Sequence, residues 1–467
     1  MEKLFKNKKL VIISLDEDFF AIVNPDIKDG MKVINSQQKE VLDLINGENT
    51  PITIASTLAK PLEDVQSCCQ ILMEKDFVNF SGEFASVSNA VVPNSLNFWI
   101  HTTNECNLRC SYCNIHTLGL KNQLEEDTIT VFFHKVVETV KNNGLKKVSL
   151  RLAGGEPLLK FDLWIKKLDD LRSLLSVEGC VLQVTFLTNL VALKESMIPI
   201  LKDRKIGIGV SLDGLYDFQD STRHFKNGKG SFSIVNSNLQ LLIDAGIKPG
   251  IMTVVSNKNL DGLVELTKFL ISKNLFFRYS FVQGEVLDIE KTKLVLMECY
   301  KEIEQAIISN GYSFVKNHTL CDLKLLKPFF QTCSNGFSGG SLYTNGDLYF
   351  CQTQFGVTEP IGSIFMEGDL LSILQRGSFY PKIQNSTCIS CQFRYICTGG
   401  CPLERENGID PHCVLYQEFI PVLFRLIALE KLQIIKQKVK VIFCDEKHNP
   451  QSELLSFYGC HDSSLKI

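Results

Sequence analysis

The chain has 467 residues, 45% hydrophobic and 22% charged, with a net charge of −3, a profile of a soluble globular protein that divides into two to four domains. That charge gives no global electrostatic argument for nucleic acid or a membrane surface, and no apolar run reaches the roughly 18–20 residues of a membrane span. The basic N-terminus meets acids before any cleavage-like site, so a cytoplasmic protein is expected, and there clustered cysteines among the 17 point to metal or catalysis rather than disulfides.

Residues 1–90 read as a small module. Strands in "KLVIIS" and "FFAIV" precede a loop, helices opening at Ser36, near 51–59 and near 62–74, and a terminal strand "FVNF". Such a winged-helix-like order suits nucleic-acid binders, but no helix carries a basic stripe. An exposed strand edge that captures an extended peptide is the alternative.

Residues 91–315 alternate between strands and helices. Strands are expected at "LNFWI", "KVSLRL", "LQVTFL", "IGIGVSL", "PGIMTVV" and "FFRYSFV". A helix opens at Asp127, places Val131, Val136, Val137 and Val140 on an apolar face, and ends at Gly144. Six strand–helix repeats imply an α/β fold with a parallel sheet, here a partial (β/α)6 TIM barrel whose ligands collect at the C-terminal strand ends.

Residues 316–420 are rich in Cys and Gly with little periodicity, so metal clusters are expected to supply the stability that regular elements do not. A helix is expected over roughly 415–436, and the terminal segment 421–467 comprises most of it, a strand-like "KVKVIFC" and a polar tail. Cys68, Cys69, Cys180, Cys299, Cys444 and Cys460 stand outside the clusters and read as buried small apolar residues.

"CNLRCSYC" follows the first barrel strand directly. Cys106, Cys110 and Cys113 can supply three thiolates to an iron–sulfur cube, leaving one iron open to a small molecule. A zinc site, with His116 conscripted as fourth ligand, is the other reading. The spacing C-x3-C-x2-C resembles the signature of the radical S-adenosylmethionine (SAM) enzymes. Gly154-Gly155-Glu156-Pro157 after the second strand is similar to that family's "GGEP" element, which contacts the methionine amino group; by itself it would be a tight turn. Thr188-Asn189 matches the family's "TNG" in part, with Leu190 in place of Gly. The resemblance further implies that Tyr112 lies against the adenine, that Ser211 in "GVSLDG" reaches the ribose, and that Arg223 pairs with the methionine carboxylate. A surface salt bridge is the alternative for Arg223. Val255 would pack on the adenine ring or in the core.

Seven further cysteines, Cys333, Cys351 (preceded by Gly346), Cys388, Cys391, Cys397, Cys401 and Cys413, resemble the SPASM extension of peptide-modifying members; two zinc ribbons are the other reading. By that resemblance Cys388, Cys391, Cys397 and Cys413 hold one auxiliary 4Fe–4S cluster. Cys333, Cys351 and Cys401 hold a second, completed by Cys321 or left open. Three clusters and SAM are therefore implied, with an electron donor such as flavodoxin or ferredoxin. The N-terminal module resembles the PqqD-like recognition domain that binds the leader of a ribosomal precursor peptide. The implied chemistry is hydrogen abstraction from an unactivated carbon, giving a Cys thioether as in sactipeptide and ranthipeptide synthases. Carbon–carbon or carbon–oxygen crosslinking is the next expectation, then formylglycine formation as in anaerobic sulfatase maturases. Those relatives carry an acid after the cysteine matching Cys351, where this chain has Gln352. A non-enzymatic metal-binding peptide scaffold is the last alternative.

Overall fold

The computed structural model describes residues 2–87, 92–118, 122–314, 320, 323–376, 383 and 385–443. After β1 (Phe5–Lys6) come three antiparallel strands, β2 (Val11–Ser14), β3 (Phe19–Val23) and β4 (Met31–Asn35). Helices α1 (Ser36–Leu44), α2 (Pro51–Leu58) and α3 (Leu62–Met73) follow, and β5 (Val78–Asn79) returns to pair with β1. Capping boxes open α1 (Asn35 with Gln38) and α2 (Thr50 with Thr53), the latter with Pro51 in its first turn. β4 corrects the loop expected there. Its buried residues are Met31 and Ile34, a spacing of three that hides the two-residue period of a strand.

The barrel alternates as expected: β6 (Ser95–His101), α4 (Glu126–Asn143), β7 (Lys147–Ala153), α5 (Phe161–Val177), β8 (Val181–Thr188), α6 (Met197–Asp203), β9 (Gly207–Ser211), α7 (Asp217–Thr222), α8 (Phe232–Asp244), β10 (Gly250–Val255), α9 (Leu263–Ser272), β11 (Phe276–Phe281) and α10 (Ile289–Asn310). The six strands are parallel neighbours in the order β11-β10-β9-β8-β7-β6, an α/β architecture. Strand alternation buries Leu96, Phe98, Ile100, Leu150 and Leu152 in the core, whereas Asn97, Trp99 and Arg151 line the barrel's interior. α4 buries Ile129, Phe132, Phe133, Val136 and Val140, and Gly144 caps it at φ 61°.

The cysteine-rich segment is more regular than its sequence implies. β12 (Gly339–Leu342) runs parallel to β6, and β13 (Asp347–Tyr349) and β14 (Gly362–Ser363) add antiparallel, extending one sheet to nine strands. A Cβ at Gly339 would lie 2.4 Å from the carbonyl oxygen of Asn97. Close approach to β6 thus requires a residue that reads as a strand breaker. Short helices α11 (Leu370–Arg376), α12 (Ser386–Ser390) and α13 (Arg394–Cys397) precede the long α14 (Cys413–Phe443). Residues 438–443, expected as a strand, continue α14. β-branched residues cost an established helix only tenths of a kcal/mol each, roughly, so propagation carries through them.

Alternation in the N-terminal sheet divides its two faces between two cores. Ile22 and Ile34 pack with α1–α3, while Ala21, Val23 and Met31 join the large core that includes α14. Among the described residues, no helix is long and apolar enough to cross a membrane.

Candidate active site

The C-terminal ends of the barrel strands open into a cavity of about 1050 Å³, and Cys106, Cys110 and Cys113 line it. The loop that carries them is clasped from both sides. Gly155 N–H donates to the carbonyl of Thr103 at 2.6 Å, and Glu156 N–H to that of Glu105 at 2.8 Å. A Cβ at Gly154 would stand 2.6 Å from the Thr103 oxygen, and one at Gly155 only 2.2 Å from the Glu105 oxygen. Gly154, at φ 132°, also needs a conformation that L side chains rarely adopt. "GG" is therefore required by the approach of the cysteine loop. On the far side, Arg109 and Ser111 N–H donate to the carbonyls of His224 and Thr222, each at 2.8 Å.

N–H groups aim at the sulfurs. Cys106 Sγ accepts from Leu108 N at 3.4 Å and Asn189 Nδ2 at 3.5 Å, and Cys110 Sγ from Arg223 Nη1 at 3.8 Å. Burial pushes the Cys106 thiol up to about 12, and the nearby Cys110 and Cys113 add to it. Burial raises Cys110 too, against the pull of Arg223. Buried thiols of this kind surrender their protons to a cationic metal centre, and the donor set fits an iron–sulfur cluster held by three thiolates. The His116 side chain lies outside the described residues, as does Cys321.

Glu156 does not line the cavity; it is fully buried behind it. Its carboxylate accepts from Thr188 Oγ1 at 2.6 Å, Asn189 N at 2.8 Å and Leu158 N at 3.0 Å. Burial pushes this carboxyl up to about 7 while those donors hold it down. It fixes the end of β8, so that Thr188 and Asn189 reach the cavity wall. Pro157 is buried beside it, opening a 3₁₀ turn. Leu190, where the family motif has Gly, adopts φ 66° and is fully buried. The glycine-like backbone survives the substitution because core packing over-determines it.

Arg223 is no surface residue. Its Nε donates to Asp213 Oδ2 at 2.8 Å, and its guanidinium lies 5.3 Å from the centre of the Tyr112 ring. Tyr112 donates its hydroxyl to the same carboxylate oxygen at 2.5 Å. Burial opposes the charge on Arg223, but Asp213 holds the guanidinium well above its ordinary value. Tyr112, Arg223 and Ser211 all line the cavity. Val255 does not: it is fully buried on the opposite face of β10, and Met252 and Val254 line the cavity instead. A shift of one position along a strand exchanges the two faces. Asp213 in "GVSLDG" carries no role in the family motif as matched above, although a buried carboxylate at the end of a barrel strand needs a partner.

Cys388, Cys391, Cys397 and Cys413 surround a second, smaller cavity. Burial pushes Cys397 up to about 12, with Cys391, Cys413 and Cys388 contributing. Phe393 N donates to Cys391 Sγ at 3.4 Å and Gln417 Nε2 to Cys413 Sγ at 3.6 Å. Four thiols around one cavity, two of them with donors aimed at the sulfur, could hold a fully ligated cluster. Cys333, Cys351 and Cys401 line the large cavity that also holds the triad. Thr332 Oγ1 donates to the Gly400 carbonyl at 2.6 Å, and Asp410 Oδ2 accepts from Cys401 N at 2.9 Å, tying these segments together. Of the cysteines outside both groups, Cys68, Cys69, Cys180 and Cys299 are buried as expected, and Cys444 and Cys460 lie outside the described residues.

Residues 100–270 match the model of the radical SAM superfamily, and the chain is an enzyme of that superfamily. It is 29% identical over 299 residues to an uncharacterised protein of Methanocaldococcus jannaschii, covering 63% of this chain and 94% of the other. It is 21% identical over 378 residues to the serine-type anaerobic sulfatase-maturating enzyme of Bacteroides thetaiotaomicron, covering 71% and 90%. In fold it is similar to the solved structure of native anSMEcpe with bound AdoMet and Cp18Cys peptide, with a TM-score of 0.59, 19% identity, and coverage of 72% of this chain and 99% of that one.

Proposed function

We propose that this enzyme is a maturase that abstracts hydrogen from a ribosomally made precursor peptide and joins a cysteine sulfur to carbon. The carrying observation is one cavity lined both by Cys106, Cys110 and Cys113 and by Cys333, Cys351 and Cys401. A substrate thiol and a carbon of the same peptide could both be held there. A 4Fe–4S cluster with SAM would supply the hydrogen-abstracting chemistry, which removes one hydrogen atom from the carbon; the thiol would release a proton, and an auxiliary cluster would accept the remaining electron. Cys106, Cys110 and Cys113 would hold that cluster. Tyr112, Ser211 and Arg223 would orient SAM, Arg223 receiving its carboxylate. Glu156, Thr188 and Asn189 would set the wall beside it. Cys388, Cys391, Cys397 and Cys413 would hold one auxiliary cluster, and Cys333, Cys351 and Cys401 another, with Cys321 as its candidate fourth ligand.

In this reading the N-terminal unit is a PqqD-like, winged-helix-related recognition domain, and its antiparallel sheet receives the leader by strand addition. The enzyme works in the cytoplasm with flavodoxin or ferredoxin as electron donor. The peptide bound in the structure of similar fold supports a peptide substrate. Similarity to a sulfatase-maturating enzyme favours formylglycine formation as a second reading. Gln352, beside Cys351 in the cavity, cannot take a proton as a carboxylate would, and weighs against it.

Anaerobic reconstitution tests the proposal. The wild type should form 5′-deoxyadenosine, and replacing Cys106, Cys110 and Cys113 together with Ala should abolish it while iron at the other cysteines remains. Incubation with Cys-containing precursor peptides should consume one free thiol and two hydrogens per crosslink in tandem mass spectra. Deoxyadenosine formation by the triple variant would sink the cofactor assignment, and an aldehyde product would replace the thioether with formylglycine.

A further inference from the structure

We infer that Arg278 selects the substrate, its guanidinium receiving a carboxylate of the bound peptide next to the residue that reacts. The inference rests on the peptide reading above and extends it to the chemical class of peptide. Arg278 lies on β11 between Phe277 and Tyr279, which are buried against the outer core. The two-residue period therefore turns Arg278 into the barrel, where it lines the large cavity and remains exposed. Among the described residues, its guanidinium has no hydrogen bond or ion pair. Folding alone gives no reason for a long cation at a barrel-interior strand position.

Its register places it beside the reacting region. Arg278 pairs with Met252 on β10, and Met252 pairs with Ser211 on β9. Arg278 thus shares a row with Ser211, two strands along the wall. A peptide carbon presented to that row would have its neighbouring side chain or C-terminus within reach of the guanidinium. The cavity's charge agrees: besides Arg223, which Asp213 pairs, Arg109, Arg151, Lys226, Arg278 and Lys324 line it, and among the described residues Glu404 and Asp410 are the carboxylates that do. Asp410 is already engaged by the N–H groups of Cys401 and His412. The planar guanidinium fork binds a carboxylate bidentately, in preference to the neutral amide of the same shape.

The test uses reconstituted full-length enzyme with SAM and two probes, acetyl-Gly-Cys-Asp-Gly amide and its Asn counterpart, with binding followed by titration under anaerobic conditions. The wild type should bind the Asp peptide about tenfold more tightly than the Asn peptide, the scale of one charge-assisted hydrogen-bonded pair. Arg278→Gln should bring the two affinities together, and Arg278→Lys should retain part of the preference. Iron content and thermal midpoint should not change in either variant. Equal affinities in the wild type, or a preference that survives Arg278→Gln, would overturn the inference. So would a changed cluster potential with an unchanged preference, which would make Arg278 a counter-charge for a cluster. Binding is read without turnover, so a failed peptide reaction would count against the maturase reading alone.

Discussion

Arg223 Nε donates to Asp213 Oδ2 at 2.8 Å, and the carboxylate that holds it is completely buried. Asp213 does more than pair with Arg223. Its Oδ2 also accepts from Tyr112 and from Thr222, and its Oδ1 from Val254 N at 3.0 Å. One carboxylate thus fixes the end of β9, the start of the segment after α7, and the aromatic of the cysteine loop. Asp213→Asn would leave a buried guanidinium without its counter-charge, a loss of about 3–5 kcal/mol in comparable buried pairs. Denaturant unfolding should show that loss, and equilibrium dialysis a weaker affinity for SAM. The double variant Asp213→Asn with Arg223→Met should recover much of the stability but not the affinity. Recovery of both would mean that the pair serves folding alone.

His101 offers a pH-dependent reading of the interface between the barrel and the cysteine-rich extension. It ends β6, is buried, hydrogen-bonds Asn104 at 2.6 Å, and lies 5.2 Å from Tyr343 and 5.1 Å from Phe355. Burial lowers its pKa to about 4, and the Asn104 bond opposes this only in part. The folded state therefore holds the imidazole neutral while the unfolded chain protonates near its ordinary value. The stabilising contribution is full above pH 6.5 and is lost as pH falls toward 4, roughly 3 kcal/mol over the span. Urea titrations from pH 7.5 to 4.5 should show that decline superimposed on the common acid response. In His101→Phe the extra slope should vanish; an identical slope would assign the pH dependence elsewhere.

The barrel was legible because its strands and helices obey the simplest periods. Leu96, Phe98 and Ile100 alternate on β6, and α4 closes on Gly144 where a helix terminator stands. The triad and its neighbours stand out through their resemblance to the radical SAM signature, and the fold brings Cys106, Cys110, Cys113, Tyr112, Ser211 and Arg223 to one cavity. What the sequence hid was set by contacts distant along the chain. β12 joins β6 through Gly339, a residue that local propensity counts against a strand, and its reason lies on Asn97. Val255 is expected on the adenine or in the core, and it takes the core: no local signal says which face of β10 meets the cavity, and the helices packed behind it decide. The resemblance of "GGEP" implies a contact with the ligand, yet Thr188 and Asn189, more than 30 residues after Glu156, hold its carboxylate behind the wall.

The N-terminal sheet is joined to the enzyme through Arg425. From α14 its Nη1 donates to the carbonyl of Ser14 and its Nη2 to that of Leu15 at 3.1 Å, while Glu304 on α10 accepts from the same guanidinium at 2.8 Å. Lys436, farther along α14, reaches Asp16 at 2.9 Å. These bonds lie at the turn between β2 and β3, over the apolar contact made by Ala21, Val23 and Met31. Arg425→Ala would leave two backbone carbonyls without their donor. The side chains are partly solvated, so the cost should be only about 1 kcal/mol. It should fall on docking, not on global folding: hydrogen exchange in β2 and β3 should quicken while α4 and α5 keep their protection. Iron content and SAM cleavage without peptide should stay at wild-type levels, because nothing at the cysteine loop changes. If the sheet presents a leader to the barrel, modification of a leader-bearing peptide should slow relative to a leaderless one. Unchanged exchange in β2 would show that the apolar face holds the module without Arg425, and unchanged exchange with slowed modification would assign Arg425 to the peptide itself.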